Sequence, residues 1–166
     1  MKIQLVRYLN EIEVAINLII NFWQVHNQYT PTYKEAYDDL KEWTKIGHCL
    51  YFIICDNEIV GFVHLGSRGS EIDWLEDIFV LPEFQGKGIG SEAIRQVENI
   101  VKEYSESLYI EAAARNCKAI HLYHKIGYNC LNTITIRKDF HPKKYETITN
   151  EKIMNLNFDV KKDKKQ

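Results

Sequence analysis

The sequence predicts an α/β domain, and three observations carry that expectation. β-rich apolar runs alternate with stretches whose apolar residues recur every three to four positions. A glycine-rich turn, Gln85-Gly86-Lys87-Gly88-Ile89-Gly90, joins one such run to one such stretch. The length, 166 residues, fits one domain able to bury a core. Residues 1–160 are therefore read as a single domain. Lys161, Lys162, Lys164 and Lys165 lie in a basic tail, 161–166, expected to be solvated and flexible.

Met1 to Tyr8 alternates as a first strand. Asn10-Glu11-Ile12-Glu13 has the form of a helix cap, and Ile12, Ala15, Ile16, Ile19, Ile20 and Trp23 keep helical spacing to about His26. Thr32-Tyr33-Lys34-Glu35 has capping-box form and opens a more polar helix ending near Gly47. Leu50 to Cys55 and Ile59 to Leu65 form an antiparallel hairpin across Asp56-Asn57. Ile72 to Leu81 is a longer strand running into the glycine turn. Ile89, Ala93, Ile94, Val97, Ile100, Val101 and Tyr104 then mark an amphipathic helix. Leu108 to Ala113 reads as a strand, Asn116 as the N-cap of a helix closed by Gly127, and Leu131 to Arg137 and Ile153 to Val160 as two last strands. The order is β-α-α-β-β-β-α-β-α-β-β, with no internal repeat or low-complexity segment.

A net charge of −2 gives no reason to expect a nucleic-acid surface. The charged, strand-like start lacks the apolar core of a signal peptide, and Asn17, Asn21 and Gln24 interrupt the apolar run at Leu18 to Phe22. A cytoplasmic protein without membrane association is expected. Cys49, Cys55, Cys117 and Cys130 are scattered, without a C-x-x-C pair or His at ligand spacing, so reduced, mostly buried thiols and no metal site are expected. His26, His48, His64, His121, His124 and His141 form no pairing pattern and are read as structural or exposed.

A glycine turn opening a helix is a place for phosphate, because the first-turn N–H groups are unpaired and the helix terminus is electropositive. Spacing tests the known phosphate loops. The P-loop pattern fails, since Gly86-Lys87 is followed by Gly88 rather than Ser or Thr. The dinucleotide fingerprint needs Gly or Ala at position 91, where Ser91 stands, and it belongs near the start of a β-α-β unit.

Residues 74–128 resemble the GNAT superfamily of acetyl-CoA-dependent N-acetyltransferases. One matching motif is [Q/R]-x-x-G-x-[G/A], carried by Gln85, Gly88 and Gly90. The other is Asn116-x-x-Ala119-Ile120-x-Leu122-Tyr123-x-Lys125-x-Gly127-Tyr128, and both follow in the family's order. The resemblance implies a mixed, largely antiparallel sheet of about seven strands, splayed between its fourth and fifth strands and flanked by about four helices. It implies acetyl-CoA as cofactor, with Gln85, Gly86, Lys87, Gly88, Ile89, Gly90 and Ser91 around the pyrophosphate. Ile78, Phe79 and Val80 would line the pantetheine arm, and Asn116 and Tyr123 would also contact it. Trp74-Leu75-Glu76-Asp77-Ile78-Phe79-Val80 is also similar to a segment of spermidine/spermine and other small-amine acetyltransferases.

An amine with pKa near 10.4 is protonated at pH 7, so baring its lone pair costs about 4.6 kcal/mol and a base or water relay must assist. By the resemblance Glu76 is the first candidate, with Asp77 on the opposite face of an ideal strand. Tyr123 matches the family's general acid, a phenol able to protonate the departing thiolate. Trp23, Tyr29, Tyr33, Trp74 and Asp77, with Tyr37 nearby in sequence, are candidates to line an acceptor pocket, and Glu35, Asp38 and Asp39 would suit a cationic acceptor. The expected activity is direct acetyl transfer to a primary amine of a small molecule, a polyamine or aminoglycoside-like compound among the options. Peptide N-acetylation, a non-catalytic coenzyme A-binding module and a homodimer stay open.

Overall fold

A computed structural model describes residues 1–164, in which the chain forms two compact units, Met1–Glu111 and a second from Ala112 onward. Each is described by itself. The first holds β1 (Ile3–Arg7), α1 (Ile12–Asn27), α2 (Tyr33–Thr44), β2 (His48–Cys55), β3 (Glu58–Gly66), β4 (Trp74–Val80), α3 (Ile89–Val101) and β5 (Tyr109–Ile110). The second holds α4 (Cys117–Lys125), β6 (Tyr145–Ile153) and β7 (Leu156–Asp163). The element order matches the expectation through α4.

β1 to β5 form one sheet in sequence order, antiparallel from β1 to β4 and parallel between β4 and β5. Asp56 and Asn57, both at positive φ, make the tight β2–β3 turn that the right-handed strand twist favours. On one face Phe52, Phe62 and Phe79 pack with Ile16, Ile19 and Phe22 of α1 and Leu40 and Trp43 of α2. Strand alternation turns Val63, Leu65 and Leu75 to the opposite face, where they are buried, as is the apolar stripe Ile89, Ala93, Ile94 and Val97 of α3. Gln96 of α3 also covers the outer edge of β1, accepting from the Leu5 N–H and donating to the Ile3 carbonyl, each at 2.9 Å.

Local chemistry explains most element starts. Thr32 and Glu35 form the full capping box on α2, and Asn116 caps α4 by accepting from the Ala119 N–H at 3.3 Å. Asn10 does not cap α1. The N-cap is Glu11, whose carboxylate instead accepts the N–H groups of Leu9 and Asn10.

The C-terminal third departs from the expectation. Leu131 to Arg137 is not a strand: its side chains, Ile134 and Ile136 included, are exposed, and no neighbouring strand pairs with it among the described residues. The expected strand at Ile153 to Val160 is cut by Met154 and Asn155, both at positive φ, which turn β6 into β7. The seven strands are therefore split between a five-stranded sheet and a separate hairpin. Nor do Lys161 and Lys162 belong to a free tail. They lie in β7, with ion pairs from Lys161 to Asp139 and from Lys162 to Glu146, whereas Lys165 and Gln166 lie outside the described residues. The four cysteines are free, but only Cys55 is buried, and Cys117 and Cys130 are exposed.

Gly61 of β3 lies directly against β4, where a Cβ would sit 2.0 Å from the Phe79 carbonyl oxygen. Gly61→Ala should therefore force the strands apart and cost at least about 2 kcal/mol. Gly69→Ala, with nothing within 4 Å, should be close to neutral. Denaturant unfolding of both variants checks this, and equal stabilities would contradict it.

Candidate active site

β4 positions the site through two irregularities. It pairs with β5 only at Trp74–Tyr109 and Leu75–Ile110, so its β5-side edge has no strand partner from Glu76 onward among the described residues. On its other side, Asp77 pairs with His64 and Leu75 with Leu65, leaving Glu76 as an extra, bulged residue.

The open edge can be traced atom by atom. The Phe79 carbonyl faces Gly61 of β3, and the Leu81 N–H donates to the Val60 carbonyl at 2.8 Å. Alternation then turns the backbone groups of Ile78 and Val80 to the unpaired side. Phe79 differs from the other two. Its backbone is committed to β3 and its ring is buried in the core.

The glycine turn is tied to the end of this edge, because the Gln85 side-chain amide donates to the Val80 carbonyl at 2.8 Å. Lys87 is drawn back toward Glu83, donating to its carbonyl at 2.9 Å. Gly86 and Gly88 have φ of +74° and +82°, conformations that favour glycine, and a Cβ at either would point into open space. Gly88 caps α3 without any side-chain bond, and the first helical bond runs from Glu92 N–H to the Gly88 carbonyl. The amides at Ile89, Gly90 and Ser91 are thus first-turn donors without helical acceptors, although the Ile89 side chain is core. An open strand edge leading into such a terminus fits an extended ligand arm that ends in phosphate.

The bulge sets the neighbouring carboxylates. The expectation that Glu76 and Asp77 point to opposite faces fails, because the extra residue brings both to the face covered by α1 and α2. A Cβ on Gly66 would lie 2.9 Å from Glu76 Cγ and 3.2 Å from His48 Cε1. Asp77 Oδ2 lies 2.9 Å from His64 Nδ1 on that same face. Arg68 holds both Glu76 oxygens, at 3.1 and 2.7 Å, and bonds Glu111 while lying 3.8 Å from the Trp74 ring centre. These two carboxylates keep the Arg68 guanidinium firmly protonated.

Behind Asp77 lies a pairing that the sequence reading misses. His64 Nε2 is 2.9 Å from His48 Nδ1, so Asp77, His64 and His48 form a continuous chain. His64 is only 3% exposed and stacks on Trp43 with a 13° interplanar angle. The Asp77 carboxylate accepts, so His64 Nδ1 donates to it. Its Nε2 then accepts from His48 Nδ1–H, leaving His48 Nε2 as the free lone pair. Burial, then the neighbouring His64 and Lys45, holds the His48 imidazole below its usual pKa, against the opposing pull of Glu76 and Glu42. The predicted β2–β3 hairpin carries the signal. In its register Leu50 opposes His64, which puts His48 one diagonal step away.

The aromatic candidates are not gathered in one place. The Trp23 indole donates to Asp39 at 2.8 Å, and burial, reinforced by the charge of Asp77 among others, raises the Asp39 carboxyl pKa. Tyr29 and Tyr33 donate instead to Glu35 and Glu13, and Trp74 stacks on Tyr109. Trp23 and Asp77 therefore share the Asp39 neighbourhood, whereas Tyr29, Tyr33 and Trp74 have other partners. In the second unit, Asn116 begins α4 and Tyr123 sits within it, half-buried, its ring 6.2 Å from that of Tyr128.

Comparison with known proteins places the fold and the family. Pig thialysine N-epsilon-acetyltransferase is 34% identical over 83 residues, 49% of this chain and 43% of that protein. Aminoglycoside N(6')-acetyltransferase type 1 of Acinetobacter baumannii is 32% identical over 65 residues, 39% of this chain and 44% of that one. The chain thus spans less than half the length of the curated relatives it matches. Among solved structures, aminoglycoside N-acetyltransferase AAC(6')-Iy in complex with CoA superimposes with a TM-score of 0.66 at 15% identity, over 84% of this chain and 95% of that one. A soil-metagenome aminoglycoside acetyltransferase in complex with sisomicin gives 0.63 at 17% identity, over 82% and 95%. These likenesses establish the fold. A family model matches residues 19–128, more than half of the sequence and inclusive of β4, the glycine turn and α4, and the chain belongs to the acetyltransferase (GNAT) family.

Proposed function

We propose that this protein transfers the acetyl group of acetyl-CoA to a primary amine of a small cationic molecule, by direct attack within a ternary complex. The observation that carries this reading is the unpaired edge of β4 running into the side-chain-free N-terminus of α3. Ile78 and Val80 would hold the pantetheine arm through their backbone groups, and the amides from Gly86 to Ser91 would hold the pyrophosphate. When bound, acetyl-CoA supplies an activated thioester carbonyl.

The acceptor class follows from charge. Glu76, Asp77 and Asp39 are carboxylates on the α1/α2 side of the sheet, and Trp23 adds an aromatic surface beside Asp39. A protonated amine suits that surface, and the names of the relatives, thialysine and aminoglycoside acetyltransferases, point to the same chemistry. The sequence expectation casts Glu76 as the base. With Arg68 on both of its oxygens, its role here is to attract the ammonium in competition with that guanidinium. Tyr123, by its place in the family motif, would donate its phenolic proton to the departing thiolate sulfur. Cys117 and Cys130 lie outside any nucleophile motif, in keeping with transfer without an acyl-enzyme.

A transfer assay against polyamines, aminoglycosides, lysine analogues and peptide N-termini tests this reading. Amine-dependent thiol release with the small cations is expected. Release with peptides alone, or acetyl-CoA binding without any transfer, would contradict it. Tyr123→Phe should lower turnover at least about tenfold while acetyl-CoA affinity stays nearly unchanged. Glu76→Gln should raise the amine KM by more than it lowers kcat, and steady-state kinetics with the best acceptor separate the two effects.

A further inference from the structure

From the chain His48–His64–Asp77, we propose that His48 Nε2 is the base that takes the proton from the acceptor ammonium, with His64 and Asp77 as positioning residues behind it. The proposal rests on the acetyltransferase reading above and names the proton acceptor that reading lacks.

The geometry supports each part. Asp77 Oδ2, His64 Nδ1, His64 Nε2 and His48 Nδ1 follow one another at 2.9 Å contacts. The middle member is buried and clamped, since the His64 ring stacks on Trp43 at 4.8 Å and on His48 at 5.1 Å between centroids. A ring so held keeps its Nδ1–H on the carboxylate, so its Nε2 is available as an acceptor, and His48 must present Nδ1–H to it. The remaining nitrogen, His48 Nε2, has no hydrogen-bond partner among the described residues, and His48 is only half-buried. Its ring lies beside Gly66 and Glu76, at the bulge next to the open edge of β4. Glu76, by contrast, has both oxygens on Arg68.

In the step proposed, an N–H bond of the ammonium breaks and its proton bonds to His48 Nε2. The electron pair stays on the amine nitrogen, which then attacks the thioester carbonyl carbon. As the adduct collapses the C–S bond breaks, and the thiolate leaves and takes the proton proposed above to come from Tyr123. The second proton of the acylated nitrogen passes to water and so restores the phenol. The resulting imidazolium keeps Nδ1–H on His64, whose Nδ1–H stays on the Asp77 carboxylate, so the anion stabilises the new charge through a neutral ring. The proton on His48 afterwards leaves to water. The charged and titratable groups facing His48 are His64 from β3, Glu76 from β4, and Glu42 and Lys45 from the end of α2 and the turn after it, with Asp77 of β4 behind His64. Arg68 sits on Glu76, and Asp39 of α2 lies near Asp77. A base must be neutral to act, so turnover should fall as pH drops through the His48 pKa, and burial sets that limb below the ordinary imidazole range.

Two measurements test this. In pH–rate profiles with the best small amine, His48→Gln, which can still donate to His64, should lower kcat at pH 7 at least tenfold and abolish the acid limb, with acetyl-CoA affinity unchanged. Asp77→Asn should lower kcat and shift the limb to lower pH. A His48→Gln variant that keeps the wild-type limb and turns over within threefold of wild type overturns the proposal alone. Absence of transfer by the wild-type protein to every amine overturns the acetyltransferase reading, and this proposal with it. Histidine-selective NMR gives a readout independent of activity. His64 is expected to carry its proton on Nδ1, toward Asp77, and His48 to take up its proton at Nε2. An Nε2–H tautomer at His64 would reverse the chain and overturn the proposal.

Discussion

β4 carries one residue more than β3 can pair, and most of what sets this sheet apart depends on that mismatch. The insertion at Glu76 keeps the rest of the strand in register, with Asp77 on His64 and Phe79 on Phe62, yet bends the chain where β5 stops pairing. A regular strand would alternate its two acidic side chains between faces. The bulge instead gives both to the side covered by α1 and α2, where Arg68 neutralises one and the histidine pair engages the other. The same strand is packed tightly against Gly61 on one side and open on the other. Backbone groups that would otherwise complete a ladder are thereby left for a ligand.

Electrostatics and packing are coupled in this region. Among the described residues His64 is the one buried polar side chain, held between Trp43, His48 and Asp77. A buried polar ring without partners would be costly, and the two hydrogen bonds that satisfy it also fix its tautomer. The hydrophobic cluster under α1 and α2 therefore supports the polar chain, since Trp43 touches both Phe62 and His64.

Local signals in the sequence were the most legible. Thr32 with Glu35 and Asn116 with Ala119 form caps as their spacing suggests, Asp56-Asn57 makes the hairpin turn, and the period of α3 marks its buried face. Gly88 is legible for the same reason, because this turn takes a φ of +82° there, a conformation that favours glycine. Features that depend on register between distant strands were not. The bulge has no composition of its own, so Asp77 is read onto the wrong face. The His48–His64 pair becomes visible only when the β2–β3 hairpin is laid out residue against residue. In the C-terminal third, Met154 is an unusual turn former, and the β6–β7 hairpin is accordingly displaced from its expected place. Leu131 to Arg137 has strand-like composition, but composition alone supplies no neighbouring strand.

The central claim is that the unpaired edge of β4 and the first turn of α3 together hold acetyl-CoA, and residue-resolved amide hydrogen exchange with and without acetyl-CoA tests it most directly. The account predicts slowed exchange at Ile78, Val80 and the amides from Gly88 to Ser91, with Phe79, already committed to β3, unchanged. Unchanged exchange along β4 and the α3 terminus at saturating acetyl-CoA would contradict it.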